Sequence, residues 1–360
     1  MFPWRSPGLR SRSPAATSSE RPIERKEHPL TETLHSAWRY IDTGTADRYR
    51  GLCVVDSNTV WLGGCDGTVV RTADGGDSWV DVSPPNTAEL QFRSIVGFDD
   101  LTAHAMACGP GEGARVYRTD NGGSSWHVSF QATDPELFLN TVAFLDPDTG
   151  LAVGDPIDGA FAIVRTSDGG RTWSLTGGAS APTALPGDGL FAASGSCLVT
   201  ADGALWIGTG GAEHARVLRS TDGGSSWQSH ETGLPSGVMT GIFGLAFADA
   251  ERGIAVGGNH NDQGASRSAV ALTTTGGQEW TIPTRAESRG LPCGFRSAAA
   301  FSPIDPNTIV VVGPGGSEYT TDGGGSWHAL GDGFDAVEVA PDGSFWASGG
   351  HGRVARLELL

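Results

Sequence analysis

Apolar residues along this chain come in short runs cut by turn-forming residues, without the spacing of an amphipathic helix. In residues 52–72, LCVVDSNTVWLGGCDGTVVRT, two β-rich runs are broken by Asp-Ser-Asn and by Gly-Gly-Cys-Asp-Gly. The stretch reads as short strands joined by tight turns. It ends in a phrase that recurs six times: RTADGGDSW (71–79), RTDNGGSSW (118–126), RTSDGGRTW (165–173), RSTDGGSSW (219–227), LTTTGGQEW (272–280) and YTTDGGGSW (319–327). Its tryptophans, Trp79, Trp126, Trp173, Trp227, Trp280 and Trp327, follow one another at 47, 47, 54, 53 and 47 residues. A period of that length marks an array of β units.

Paired glycines such as Gly75 and Gly76 supply positive φ, and the Asp before them can accept backbone N–H bonds, so each phrase reads as a hairpin turn. Three strands precede it and one follows. Four short antiparallel strands in 47 residues match a propeller blade, with the closing Trp sized to fill the gap between neighbouring sheets. After Trp327, residues 334–359 hold three more strands and no phrase. At the other end, SAWRYID (36–42) carries Trp38 with no phrase before it. The expected fold is all-β, a seven-bladed propeller of four-stranded antiparallel blades whose last blade is completed by the N-terminal strand around Trp38. The expected division is a disordered Pro/Ser/Arg-rich tail over 1–36 and the propeller over 37–360.

These phrases resemble the Asp-box, or BNR, repeat of sialidases and sortilin-type receptors. Taken whole, residues 37–360 most resemble the bacterial Ycf48-like, photosystem II assembly factor-like propellers, some of which carry an oxidoreductase label. FRSIVGF (92–98), GLAVGDPIDGAF (150–161), FAASGS (191–196), LWIGTGG (205–211) and CGFRSAAAF (293–301) carry the likeness. Two copies depart from the Asp-box, with Asn121 and Thr275 in place of the Asp, and looser hairpins are expected there. The resemblance implies a protein-binding assembly scaffold. Sialidase chemistry is disfavoured: the Arg-Ile-Pro segment is absent, and Tyr40, Tyr49, Tyr117 and Tyr319 offer no clear nucleophile.

The phrases should lie at the outer part of one face, and propeller ligands usually meet the other, where the loops entering each blade surround the channel. Every blade enters its innermost strand with an aromatic residue, and in three an arginine follows: Arg50, Arg93 and Arg296. Arginines converging on a channel mouth would hold a carboxylate, sulfate or phosphate bidentately; the alternative is that each pairs with a local Asp or carbonyl. Loops between second and third strands add Asp155 and Asp158 in GDPIDG (154–159) and Asn259 and His260 in GGNHNDQ (257–263). With Asn140, these make Arg50, Arg93, Arg296, Asn140, Asp158 and Asn259 candidate ligand-binding residues. His260 and Asp155 are the candidate acid/base pair. His104, His214 and His351 are weaker candidates, as are the thiols of Cys65 and Cys108.

Composition narrows the chemistry. The net charge of −17 becomes about +2 on the tail and −19 on the body, which disfavours nucleic acid as a partner. Five cysteines without a CxxC pair support neither a disulfide framework nor a cysteine zinc site. No histidine pair has metal-binding spacing, and no GxGxxG opens a helix, so no metal or cofactor is expected, and an enzyme here would be a cofactor-independent lyase, cyclase or hydrolase. No secretory h-region or membrane-length apolar stretch is present, giving the expectation of a cytoplasmic monomer without membrane contact. Two functions result: binding of a small anionic metabolite at the channel mouth, with acid/base turnover, or non-catalytic scaffolding of a protein partner.

Overall fold

A computed structural model describes residues 38–176, 180–264, 268–284 and 289–358; the expected tail over 1–36 lies outside them. Seven antiparallel sheets follow one another around a central channel. Their innermost strands are Tyr49–Val54, Phe92–Gly97, Leu139–Phe144, Leu198–Ala201, Thr240–Phe247, Ala298–Phe301 and Ala336–Val339, defining blades 1 to 7. Among the described residues helical structure is limited to 3-10 turns, at Gly111–Gly113 and at Ser180. No helix there is long and apolar enough to cross a membrane.

The seventh blade closes as expected. Arg39–Ile41 pairs antiparallel with Val354–Leu357, in the register Arg39 to Arg356, Tyr40 to Ala355 and Ile41 to Val354. Trp38 is buried against Phe334 and Leu330, its indole N–H donating to Ser317 Oγ at 3.1 Å. The other blades are four-stranded except blade 5, whose outer strand shrinks to a single bridge between Leu272 and Thr281.

The repeated phrase folds as a self-contained turn between third and fourth strands. Thr72 Oγ1 accepts the N–H of Gly76 at 3.0 Å and donates to Asp74 Oδ1 at 2.7 Å, while Asp74 Oδ1 also accepts the N–H of Ser78 at 2.9 Å. The Ser78 hydroxyl and amide, then Thr72, hold the Asp74 carboxyl down at about 2. Asn121 Oδ1 and Thr275 Oγ1 accept the corresponding amides of Ser125 and Glu279, both at 2.9 Å. The neutral caps thus preserve the key bond, and only blade 5, with Thr275, loses its outer ladder. Gly76 has φ +89°, and a Cβ there would sit 3.1 Å from Trp346 of blade 7.

Packing between blades uses the tryptophans as anticipated: Trp126 meets Trp61 edge-on at 6.2 Å, and Trp327 packs against Ile254, Val256 and Val270 of blade 5. The arginine opening several phrases adds a latch not read from the sequence. Arg118 Nε donates to the carbonyl of Gly169 at 3.0 Å, and Arg165 to those of Gly223 and Gly224, tying one blade to the turn of the next. Sheets approach closely enough to demand glycine at Gly63 of blade 1, where a Cβ would fall 2.6 Å from the carbonyl oxygen of Phe92 in blade 2.

Candidate functional site

The turn amide of Gly75 bonds to the carbonyl of Asn58, which fixes the repeated phrases on the face carrying the first-to-second-strand turns. Strand entries lie at the opposite mouth. There the pairing slips by one residue in blades 1, 2, 3 and 5, between Tyr49 and Gly51, Phe92 and Ser94, Leu139 and Thr141, and Ile242 and Gly244. A bulge leaves one residue out of the ladder and re-aims its side chain. The four residues so released are Arg50, Arg93, Asn140 and Phe243.

Three guanidinium groups gather at blades 1 and 2. Arg48 forms a bidentate pair with Asp335 of blade 7, both bonds 2.7 Å. Arg93 donates to Gln91 Oε1 and to the carbonyl of Ala192 at 3.3 Å, so its partners are neutral. Arg50 is half-buried; its Nε is buried with no hydrogen-bond partner. Burial, and then the charges of Arg93 and Arg48, push the Arg50 guanidinium below its ordinary pKa, the direction expected where a charge is held without a counter-ion. Cys65 sits among them, its thiol pushed up because burial outweighs the arginines.

Arg296 is spent elsewhere. In blade 6, Ala298 pairs with Val312, and Thr320 with Ile309, as Gly51 pairs with Gly63 and Thr72 with Val60 in blade 1. Ser297, not Arg296, therefore stands where Arg50 stands. One residue earlier, Arg296 is 5% exposed, bound bidentately by Glu318 and donating to the carbonyl of Phe295. The local-pairing alternative describes this arginine.

An aromatic wall completes the mouth on the side of blades 4 to 6. Phe191 and Phe243 stack with centroids 4.1 Å apart and planes 7° off parallel; the His260 ring lies 6.0 Å from Phe243 and meets Phe295 edge-on at 5.2 Å. Burial, followed by the charges of Arg50 and Arg48, lowers the His260 pKa, and its Nδ1 has no partner. Asn259 Oδ1 accepts the amides of Asn261 and Asp262, both at 2.9 Å, shaping the loop that carries His260.

Asp155 and His260 are given different neighbours. Asp155 Oδ1 accepts from Asn140 Nδ2 and from the amide of Leu190, each at 3.0 Å. Burial still holds its pKa up. The pair expected to share proton transfer is thus not assembled as a dyad, and Asn140 is occupied by Asp155. Asp158 is exposed, with φ +51° beside Gly159, the Asp-Gly geometry of a hairpin turn. Arg48, Asp335 and the phenylalanine stack were missed. The aromatic at each blade entry signalled the stack, readable only as a ring once the register is known, while nothing in the sequence pairs Arg48 with Asp335.

His104 is fully buried, between Phe98, Phe144 and Trp173. Burial, then Arg118, pushes its pKa from 6.5 down to about 3. Between those values the unfolded chain binds a proton that the native one does not. His104's neutral burial is therefore without penalty above pH 6.5, and stability is lost as pH falls, by about 1.4 kcal/mol per pH unit. A His104→Phe variant should unfold in urea with a shallower loss of stability between pH 6 and 4 than the wild type; parallel profiles would refute the assignment.

No protein-family model matches this chain, and no curated protein sequence matches it. Among solved structures it is similar to one described as YCF48 bound to D1 peptide, with 17% identity, TM-score 0.64, and coverage of 91% of this chain and 98% of that one. It is also similar to YCF48 from Cyanidioschyzon merolae, with 16% identity, TM-score 0.60, and 89% and 98% coverage. U3-55K aligns at 11% identity with TM-score 0.63, over 89% of this chain and 98% of the other. At such identities the likeness establishes the fold: a seven-bladed propeller of the architecture seen in YCF48 and in other propellers alike.

Proposed function

We propose that this chain is a non-catalytic scaffold that binds a protein partner at the channel mouth opposite the repeated phrases. Arg50 and Arg93 take a carboxylate of the partner, and the half-exposed Phe191 and His260, backed by Phe243, take an apolar side chain beside it. The observation that carries this reading is the unpaired Arg50 guanidinium, held among two other arginines at a partly desolvated mouth. Such a charge gains most from an anion that arrives with its own shape-matched apolar group. A neighbour of the same fold is described as bound to a peptide, which agrees with this use of the architecture. The separation of Asp155 from His260 removes the motive for proton-transfer chemistry, and the metabolite reading becomes the rival that the test must exclude. No metal or cofactor is invoked.

A peptide array displaying random sequences with free and amidated C-termini tests this directly. The wild type should select sequences that combine a carboxylate with a neighbouring apolar residue. The Arg50→Met variant should bind them at least about tenfold more weakly, a loss of about 1.4 kcal/mol, and added salt should weaken the wild type. Equal binding by both proteins, or failure to select any peptide while citrate binds tightly, would overturn the proposal.

A further inference from the structure

We propose a second site, in the part of the channel that opens on the face of the repeated phrases, which binds a small organic ammonium ion against Glu338. The channel there widens into a cavity of about 500 Å³, bounded towards its outer end by Thr200, Ala248, Ser302 and Pro303. One residue from each innermost strand stands at the same level around it, opposite the second-strand positions Trp61, His104, Leu151, Trp206, Ile254, Val310 and Trp346. The seven are Cys53, Val96, Ala143, Val199, Ala246, Ala300 and Glu338. Six are small and uncharged; the seventh is the only carboxylate lining the cavity among the described residues.

Structure alone does not require a charge at this position. Glu338 Oε2 accepts the amide of Val54 from blade 1 at 2.8 Å. One blade further on, the thiol of Cys53 accepts the equivalent amide of Gly97 at 3.2 Å. A neutral side chain therefore suffices to cap that strand edge. The carboxylate's other oxygen has no hydrogen-bond partner among the described residues and is available to the cavity, where strand-edge carbonyls can accept from the remaining donors of an ammonium group. The chain's net charge of −17 favours cation approach. Burial raises the Glu338 carboxyl to about 7. Cys53, the other titratable group lining the cavity, has its thiol pushed well above the ordinary range by burial. Cation binding should therefore strengthen as pH rises through about 7.

The full-length protein is titrated with n-butylammonium chloride by ligand-observed NMR, with n-butanol as the uncharged counterpart. Expected are saturable binding of the amine at pH 8, binding about tenfold weaker at pH 6, and none of the alcohol. Glu338→Gln, which keeps an oxygen for the Val54 amide, and Glu338→Cys, which copies the blade 1 cap, should each lose the amine. Absence of saturable amine binding by the wild type at pH 8, or retention of it by either variant, overturns the site. The outcome is independent of what binds at the opposite mouth.

Discussion

Removing residues 38–42 should lower the melting temperature by more than about 10 °C and broaden the transition. The segment is short, but it supplies the outer strand of blade 7 and two anchors in different cores: Trp38 in the cluster with Phe334 and Val337, and Ile41 in the cluster with Tyr49 and Trp346. Truncation of a buried tryptophan to alanine alone costs about 3–5 kcal/mol. The deletion also uncovers the edge of Val354–Leu357, a hydrogen-bonding ladder that would then be open to water or to another chain. At roughly 2–4 °C per kcal/mol for a body approaching this size, the effect is large. Trp38→Ala should reproduce about half of it. An unchanged melting temperature after the deletion would mean that the ring is not closed by its termini.

Replacement of Arg296 by methionine should destabilise the native state by about 3–5 kcal/mol, because it removes one partner of a buried ion pair and leaves the other charged. Glu318, with a side chain 15% exposed, would face the vacated site alone. The double variant Arg296→Met, Glu318→Gln should recover part of that loss, whereas any binding function at the mouth should survive it. Urea unfolding of the single and double variants measures both quantities. A single variant as stable as the wild type would show that the pair is not formed, and would return Arg296 to the list of ligand-binding candidates.

Much of the architecture was legible because each blade writes its turn locally. A Thr or Ser, a cap and two glycines within nine residues determine where third strands end, and the tryptophan that follows fits a gap of fixed width. Trp38 without a phrase and three strands without a fourth were enough to imply ring closure. The mouth was legible only in part. Its aromatic-arginine entries are local signals, but a one-residue difference in register decides whether an arginine meets the channel, as Arg50 does, or turns back onto its own blade, as Arg296 does. Arg48 and Asp335 lie 287 residues apart and meet because the ring closes; no spacing in the sequence announces them. His260 and Asp155 shared a loop class, yet blades 5 and 3 hold them against different partners. His104, read from the sequence as a weaker acid/base candidate, instead takes the place of an aromatic residue between two blades.

Among the described mouth arginines Arg50 alone combines an unpaired buried Nε with a pKa lowered by burial and neighbouring cations, and the proposed scaffold keeps it for a partner at a cost to the free protein. The unfolding free energy of Arg50→Met at pH 7 tests this most directly. A functional residue held in an unfavourable environment should be replaceable with a gain, here about 1 kcal/mol or more, since an uncompensated charge is exchanged for an apolar chain of similar reach. A variant more stable than the wild type and deficient in peptide binding is the predicted result. A variant destabilised to the degree expected for Arg296→Met would contradict it, by showing that Arg50 already has its partner within the fold.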